Sequence, residues 1–260
     1  MASRTTPYPG TQSVARALGV LNFFTDQRPR LTLAEVTRLA KLSKPTAYRL
    51  LTALEKAGLL TRSGAEPSEA YQLGPEAIAL GWRALRANSL HSASHAELEA
   101  LAQATGDTAS LEVLRNGEAL ILDEVHGHHL LGSVQSTGTR WPVHATSTGK
   151  VLLAYLPADE RAERLKSALP RLTPNTITSA AALRRELGRI REQGYATAIE
   201  ELEIGLTAIG APVYNHKGEV VAAVSVSGPS HRLMGDEIPE LAGRVKKAGE
   251  RISRRLGYRP

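Results

Sequence analysis

The chain of 260 residues carries 32 Lys and Arg residues against 26 Asp and Glu residues, and it contains no cysteine. This length allows one large domain or two ordinary ones, and the content of 42% hydrophobic and 22% charged residues excludes disordered and fibrous proteins. The lack of cysteine excludes disulfide frameworks, thiolate zinc sites, iron–sulfur clusters and a cysteine nucleophile. Because the sequence has no long apolar run and residues 1–10 lack a hydrophobic signal core, we expect a cytoplasmic protein without membrane contact.

The excess of positive charge lies near the amino terminus. Residues 1–83 hold 11 Lys and Arg against 6 Asp and Glu, whereas residues 84–260 hold 21 against 20. Concentrated positive charge favours binding to phosphate backbones or anionic membrane surfaces, although ordinary surface scatter also produces such an excess. The pattern of the residues has to decide between these interpretations.

Two helices are predicted before residue 41. The first is indicated by apolar residues at helical spacing, namely Val14, Ala17, Leu18 and Leu21. The second starts after Thr32, which has capping-box spacing to Glu35, and runs to about Ala40. Only Lys41 and Leu42 separate it from the next helix, so the connection must be a tight turn.

A third helix is predicted from Ser43, a candidate N-cap, to Gly58, with Pro45 in its first turn. Its expected buried stripe consists of Ala47, Leu50, Leu51 and Leu54. Its outer face is basic and rich in hydroxyl groups, with Lys44, Thr46, Tyr48, Arg49 and Thr52. Two short helices in this arrangement are typical of a helix-turn-helix, whose second helix enters the major groove of DNA.

A short hairpin is predicted directly after these helices. Residues 59–62 and 70–73 have the pattern of strands, and residues 63–69 have that of a turn, which gives the wing of a winged helix. Glu66 and Glu69 at the tip of this wing disfavour close phosphate contact there. The alternative is a small helical domain that docks onto protein instead of DNA.

The remaining two thirds of the chain mix helices with antiparallel strands. Helices are predicted at residues 75–88, from a Ser94–Glu97 capping box to Gly106, and at 149–156, 158–167, 180–193 and from Ile238 to Leu256. Strands are predicted at residues 109–114, 119–125, 130–134, 207–214 and 219–227. Hairpins flanked by helices indicate an α+β domain of about 170 residues.

Some residues have a spacing that resembles enzymatic, phosphate-binding or metal-binding motifs. Ser147 and Lys150 match the S-x-x-K spacing of penicillin-recognising enzymes, but the partner motifs S-D-N and K-T-G do not occur. Gly149-Lys150 lacks the earlier glycine of a phosphate-binding loop. The histidines that invite a metal hypothesis are His126, His128, His129 and His144; the first three are better explained by a polar turn. The sequence therefore predicts no catalytic residue, no cofactor and no metal. The acidic residues Glu200, Glu201 and Glu203 are expected to form a solvated strand end, and the alternative is that Glu200 contacts a binding pocket.

Several short motifs are spread along the whole chain. In the first third these are SVARAL at residues 13–18, YRLL at 48–51 and YQLG at 71–74. Further along they are RWPVHATSTGK at 140–150, GY at 194–195 with Glu200, Glu201 and Gly205, APV at 211–213 and VSVSGP at 224–229. With these motifs in this order, the sequence from about Thr11 to Leu256 resembles the IclR family of bacterial transcriptional regulators.

The resemblance implies a winged helix-turn-helix at residues 10–74, a helical linker at 75–92 and a GAF-like effector-binding domain at 93–260. It implies a ligand-responsive regulator, more often a repressor than an activator, of a catabolic or metabolic operon with a palindromic operator. The implied partners are double-stranded operator DNA, a small-molecule effector, and further copies of the chain in a homodimer or a dimer of dimers. The alternative is a small-molecule-binding or catalytic domain whose winged helix mediates protein contacts.

Site residues follow by motif match. DNA contacts are expected from Arg16, Ser43, Lys44, Thr46, Tyr48, Arg49 and Arg62. Effector contacts are expected from Trp141, Ser147, Thr148, Leu206, Ala208, Ser225 and Ser227. The effector is expected to be an organic acid, since the start of a helix suits a carboxylate. Ala198 and Ala208 replace polar residues of some relatives and disfavour a small, strongly polar acid, whereas Trp141 favours a larger or partly aromatic one. The alternative for the two alternating serines is a solvated strand face.

Overall fold

The computed structural model describes residues 11–25, 27–63, 69–87, 89–128, 137–166, 168–233, 235 and 237–259. The chain forms two compact units, Met1–Ala87 and Asn88–Pro260. In the described ranges, none of the helices has the length and the apolar character that crossing a lipid bilayer requires.

The first unit contains all the elements that the sequence predicts there. They are the helices α1 (Gln12–Leu21), α2 (Leu33–Ala40), α3 (Lys44–Lys56) and α4 (Pro75–Ala87), and the strands β1 (Leu60–Ser63) and β2 (Ala70–Leu73). The two strands pair antiparallel, with Leu60 opposite Leu73 and Ser63 opposite Ala70. The predicted winged helix-turn-helix is thus present, while the wing tip at residues 64–68, with Glu66, lies outside the described residues.

Local hydrogen bonds fix the start of α2 and the first turn of α3. The Thr32 hydroxyl accepts the Glu35 amide at 3.3 Å, and the Glu35 carboxylate accepts the Thr32 amide at 2.8 Å, which is the predicted capping box. Lys41 ends α2 in the left-handed region, with φ of 52°. Ser43 is the N-cap of α3 by its backbone angles, but its hydroxyl bonds to the Thr46 hydroxyl at 2.8 Å instead of capping an amide.

The core of this unit forms where the three helices meet the hairpin. Its buried members are Val20, Phe24, Leu31, Val36, Leu51, Leu54, Leu60 and Tyr71. The expected stripe of α3 is buried at three positions, while Leu50 is only half-buried. The apolar face predicted for α1 is largely exposed, because Val14 and Leu18 retain 59% and 55% of their accessible surface and only Val20 is buried.

The second unit is an antiparallel sheet with helices on both faces, which confirms the predicted α+β class. Its helices are α5 (Ser89–Thr105), α6 (Ser147–Ala154), α7 (Ala158–Arg164), α8 (Ala180–Gln193) and α9 (Glu237–Arg255). Its strands are β3 (Thr108–Arg115), β4 (Glu118–Val125), β5 (Arg140–Pro142), β6 (Ala196–Ile199), β7 (Leu206–Tyr214) and β8 (Val220–Pro229). The order across the sheet is β5-β4-β3-β8-β7-β6.

Alternation along the strands divides the apolar side chains between two cores. Val224 and Val226 of β8 point to the layer that contains α5 and α9, whereas Ala223 packs with α6 and α8. Side chains two apart on a strand share a face, so Ser225 and Ser227 lie on the side of α6. The hairpin between β3 and β4 turns at Asn116 and Gly117, which both have positive φ, as two-residue hairpin turns require.

Three details differ from the sequence prediction, and one predicted strand lies outside the described residues. Helix α5 begins at Ser89, so Ser94 is not an N-cap; its hydroxyl donates to the His91 carbonyl inside the helix. The linker predicted at residues 75–92 is divided between α4 and the start of α5. Strand β6 was missed because its four residues, ATAI, include two alanines, which have low strand propensity. The strand predicted at residues 130–134 lies outside the described residues, as does His129.

Candidate functional site

Helix α3 presents the basic face that the sequence predicts. Lys44, Tyr48 and Arg49 are exposed, Ser43 is exposed at the N-cap, and Thr46 is half-buried. The opposite face is anchored because Ala47 and Leu51 are fully buried. The arrangement offers cations, hydroxyls and an aromatic ring from one rigid helix, which are groups that contact phosphates and base edges.

Two further arginines were expected near this surface, and they differ in availability. Arg16 is exposed on α1. Arg62 on β1 is held by two carboxylates, Glu55 at 2.9 Å and Glu69 at 3.0 Å, which raise the pKa of its guanidinium. Its guanidinium carbon lies 6.0 Å from the ring centre of Tyr48. A phosphate would have to displace a carboxylate to reach Arg62, so in this structure the arginine holds the wing strands and α3 together.

A second candidate site is a pocket in the other unit, between the start of α6 and the sheet. Its empty volume is about 350 Å³ when the space open to solvent at its mouth is included. All seven residues expected to contact an effector line it: Trp141, Ser147, Thr148, Leu206, Ala208, Ser225 and Ser227. Five other residues complete the lining, namely Glu112, Ala145, Thr146, Ala198 and Leu202. Ser225 and Ser227 are each 3% exposed, so the alternative of a solvated strand face is wrong.

The start of α6 is held close to the sheet by its local sequence. Thr146 is the N-cap, and its hydroxyl accepts the Gly149 amide at 3.1 Å. A Cβ on Gly149 would lie 2.4 Å from the Val143 Cα, and one on Gly210 would lie 3.1 Å from Ser147 backbone carbon. Glycine at position 210 lets the first turn of α6 approach β7, and glycine at position 149 lets the segment at Val143 pass close to that turn.

A buried carboxyl group lies on the pocket wall. The Thr148 hydroxyl donates to Glu112 Oε2 at 2.6 Å, and the Ser110 hydroxyl donates to Oε1 at 3.2 Å. Burial raises the pKa of Glu112, and these two hydrogen bonds oppose the rise only in part. A protonated Glu112 can donate one hydrogen bond, so the group can serve a ligand as a donor.

The indole of Trp141 supplies a second donor. Among the described residues, its Nε1 is buried without a hydrogen-bond partner. A buried donor that makes no hydrogen bond destabilises the folded protein. Such a group therefore commonly marks a place where water or a ligand supplies the acceptor. Basic side chains are absent from the described lining of the pocket. An anionic ligand would therefore be held by dipoles and hydrogen bonds.

Lys150 is engaged in a buried ion pair beside this pocket. The side chain is 1% exposed, and its Nζ donates to Glu201 Oε1 at 2.5 Å and to the Thr197 carbonyl at 2.6 Å. Glu201 is buried, so the expectation of a solvated acidic strand end is wrong at this residue. The pair occupies Lys150 and ties α6 to the segment after β6, which leaves it unsuited to act as a base for Ser147.

The histidines singled out in the sequence do not gather into a metal site in the described ranges. His126 contacts the Glu124 carboxylate at 3.2 Å, and His144 Nε2 lies 2.9 Å from the Pro170 carbonyl. The group that could hold a metal instead consists of His91, His95 and Asp123. This group was not predicted from the sequence, although two histidines four residues apart on a helix are a recognisable metal-binding spacing.

Comparison with known proteins identifies both units. Residues 13–64 match the family model of the IclR helix-turn-helix domain, and residues 82–254 match that of the bacterial transcriptional regulator IclR C-terminal domain. The chain belongs to the IclR family of bacterial transcriptional regulators. It is a DNA-binding, ligand-responsive regulator, and the proteins of this family are regulators, not enzymes.

Three relatives illustrate the breadth of the IclR family match. The chain is 33% identical to the HTH-type transcriptional regulator XynR of Escherichia coli over 251 residues, which covers 96% of this chain and 99% of XynR. It is 30% identical to the acetate operon repressor of Salmonella typhimurium, covering 98% and 94% of the two chains. An IclR homologue from Microbacterium hydrocarbonoxydans, solved in complex with 4-hydroxybenzoate, superimposes with a TM-score of 0.82 at 29% identity, covering 94% and 98%.

Proposed function

We propose that this IclR-family regulator represses a metabolic operon through a palindromic operator, and that a small organic acid bound in the pocket modulates this repression. The observation that carries the proposal is the pocket beside α6, whose wall combines buried donors with apolar side chains. Repression is supported by the acetate operon repressor among its relatives. Because the target is DNA, we infer that the protein works in the cytoplasm.

DNA contact is assigned to the exposed face of α3 and to Arg16 on α1. Lys44, Thr46, Tyr48 and Arg49 would reach base edges or phosphates in the major groove, with Ser43 at the start of the helix. Arg62 binds other residues of the protein more than it binds DNA, because Glu55 and Glu69 already neutralise its charge. Its removal should therefore change the position of the wing before it changes any direct phosphate contact.

The effector is proposed to be an aromatic or partly aromatic carboxylic acid. Its carboxylate would accept hydrogen bonds from the first-turn amides of α6 and from a protonated Glu112, while Trp141 Nε1 would satisfy an oxygen of the ligand. Leu202 and Leu206 would contact its apolar part. The homologue that binds 4-hydroxybenzoate supports this class of ligand.

A homodimer, or a dimer of dimers, is proposed because a palindromic operator requires two recognition helices related by two-fold symmetry. Helix α4 supports this proposal by leaving large apolar side chains exposed: Ile78 retains 64%, Leu80 50% and Trp82 59% of its accessible surface. Ile78 and Trp82 are four residues apart and so share one face of the helix, and an exposed apolar face is typical of a protein–protein contact.

The effector proposal is tested with a thermal-shift screen of the full chain against benzoate, 4-hydroxybenzoate, glyoxylate and a sugar acid. A ligand of the folded protein raises its melting temperature by mass action, so an aromatic acid should raise it most. Trp141→Phe keeps an aromatic ring at this position but removes the indole N–H donor, so it should weaken binding of the acid. Trp82→Phe on α4 should leave that binding unchanged. Equal binding by both variants, or no shift with either aromatic acid, would refute the assignment of the pocket.

A further inference from the structure

A group of potential metal ligands lies in the second unit, on the face of the sheet opposite the pocket. His91 and His95 are one turn apart on α5, and Asp123 lies on β4. One ligand atom from each residue can be chosen such that all three lie within 4.8 Å of one another. The proposed function gives these three residues no role.

The carboxylate of Asp123 is oriented toward the two imidazoles. Its Oδ1 accepts the Glu124 backbone amide at 2.9 Å, which fixes the plane of the group. Its Oδ2 lies 2.9 Å from His95 Nδ1 and 3.5 Å from His91 Nε2. The Asp123 side chain is only 7% exposed, so the oxygen that faces both rings is largely withdrawn from water. Asp123 Oδ2 and the two imidazole nitrogens could therefore bind the same ion.

The distances from the Asp123 oxygen to the two histidine nitrogens fit a small divalent ion. Zinc binds histidine nitrogen and carboxylate oxygen at about 2.0–2.2 Å, which in a tetrahedral site separates the ligand atoms by roughly 3.3 Å. The two distances to Asp123 Oδ2 bracket that value. The imidazole rings are stacked and nearly parallel, with 15° between their planes and 5.3 Å between their centres, so both side chains would have to rotate toward each other to bind one ion.

An outer partner is also present. His95 would bind the ion through Nδ1, and its other nitrogen, Nε2, lies 3.6 Å from Glu99 Oε1. Metal-binding histidines usually direct the second ring nitrogen to a carboxylate, which fixes the tautomer and makes the ligand more basic. Because His95 is about half exposed, an ion has an open path to the site from solvent.

We propose that His91, His95 and Asp123 bind one Zn²⁺ ion, with a fourth position left to water. The ion would fasten the first turns of α5 to β4, and so would stabilise the beginning of the second unit. This inference does not depend on the proposed effector or operator, and it replaces the sequence-based expectation that the protein has no metal site. Two histidines and one carboxylate favour zinc over magnesium, which prefers oxygen ligands.

The test is isothermal titration of ZnCl₂ into the full chain, prepared without a histidine tag and stripped with a chelator. Wild type should bind one Zn²⁺ per chain and gain thermal stability, whereas MgCl₂ should give neither effect. His95→Gln, at a half-exposed position, and Asp123→Asn, which keeps the side-chain size, should each weaken zinc binding at least tenfold. The paired change His216→Ala and His231→Ala, which removes two exposed histidines elsewhere, should leave it unchanged.

Each outcome decides the proposal. Saturable binding that is lost in His95→Gln and Asp123→Asn, but kept in the paired control, supports the site. No saturable binding by wild type, equal binding by the two site variants, or an equal loss in the paired control would overturn it. Replacement of Zn²⁺ by Co²⁺ adds an independent readout, since a histidine-bound four-coordinate Co²⁺ absorbs strongly in the visible range and the signal should disappear with His95→Gln.

Discussion

Thr148 at the start of α6 donates its hydroxyl hydrogen to the carboxyl group of Glu112 on β3, across 2.6 Å. This contact joins the helix that provides first-turn amides to the central region of the sheet. It also places a titratable group on the wall of the pocket, with 4% of its surface exposed. The properties of Glu112 therefore affect both the stability of the second unit and the ligand that the pocket accepts.

The stability of the protein should depend on pH through Glu112. Burial raises its pKa in the folded state above the ordinary value of 4.5, so the folded chain keeps a proton that the unfolded chain loses. This contribution is fully present below pH 4.5 and is lost as the pH rises through the folded-state pKa. Glu112→Gln should therefore show a smaller fall in the free energy of unfolding between about pH 5 and pH 8.

Urea unfolding of the wild type and of Glu112→Gln at several pH values measures this difference. The exposed Glu192→Gln serves as the matched control and should follow the wild-type curve. Because burial also raises the pKa of Glu124, to about 7, the informative quantity is the difference between the variants and not the wild-type slope alone. Identical pH profiles for wild type and Glu112→Gln would contradict the prediction.

The buried pair of Lys150 and Glu201 should be strongly coupled. Lys150→Met leaves the Glu201 carboxylate buried without its cation, and loss of one partner of such a pair costs about 3–5 kcal/mol. The double change Lys150→Met with Glu201→Leu removes both charges and should restore most of that stability. Urea unfolding of the four chains in the cycle gives the coupling energy, and additive single effects would show that the pair is not coupled.

Arg49 should contribute directly to operator binding. Its side chain is exposed on α3, so Arg49→Ala should leave the melting temperature unchanged while weakening operator binding by about 1–3 kcal/mol. Lys56→Ala, which removes a cation at the other end of the same helix, should have a smaller effect. Fluorescence anisotropy with labelled duplex measures both. A lower melting temperature for Arg49→Ala would show that the arginine is structural.

Helix α4 should hold the oligomer together. Trp82→Glu and Ile78→Glu place a charge on its exposed apolar surface, and each should shift the protein toward smaller assemblies. Leu172→Glu, at a similarly exposed leucine of the second unit, is the control. Light scattering coupled to size-exclusion chromatography reports the mass. If both α4 variants keep the wild-type mass, the contact between chains must lie on another surface.

The sequence was sufficient for the elements whose signals are local. The capping box of Thr32 and Glu35, the position of Pro45 and the turn at Asn116 each determine nearby backbone, and the structure has all three as expected. The prediction failed where contacts between residues distant in the chain determine the bounds of an element. Ser94 has the spacing of a cap, yet the helix begins earlier, at Ser89, and its body packs against β3 and β4.

The pocket shows the same division. Alternation along β8 was enough to place Ser225 and Ser227 on one face, and motif match brought five further residues to the same wall. Glu112 was missed because nothing in the local sequence shows that a glutamate in a strand is buried against α6. Glu201 was misassigned for a similar reason, since its partner Lys150 is 51 residues away in the chain.

The most direct test of the central claim is the binding of the full chain to duplex DNA from the promoter region beside its own gene, compared with a scrambled duplex of the same composition. Anisotropy titrations at several salt concentrations should show roughly 10³-fold preference for the promoter duplex and a steep loss of affinity with salt. An aromatic acid that raises the melting temperature should also change the affinity for the promoter duplex. Equal affinity for both duplexes, or binding insensitive to salt, would contradict the account.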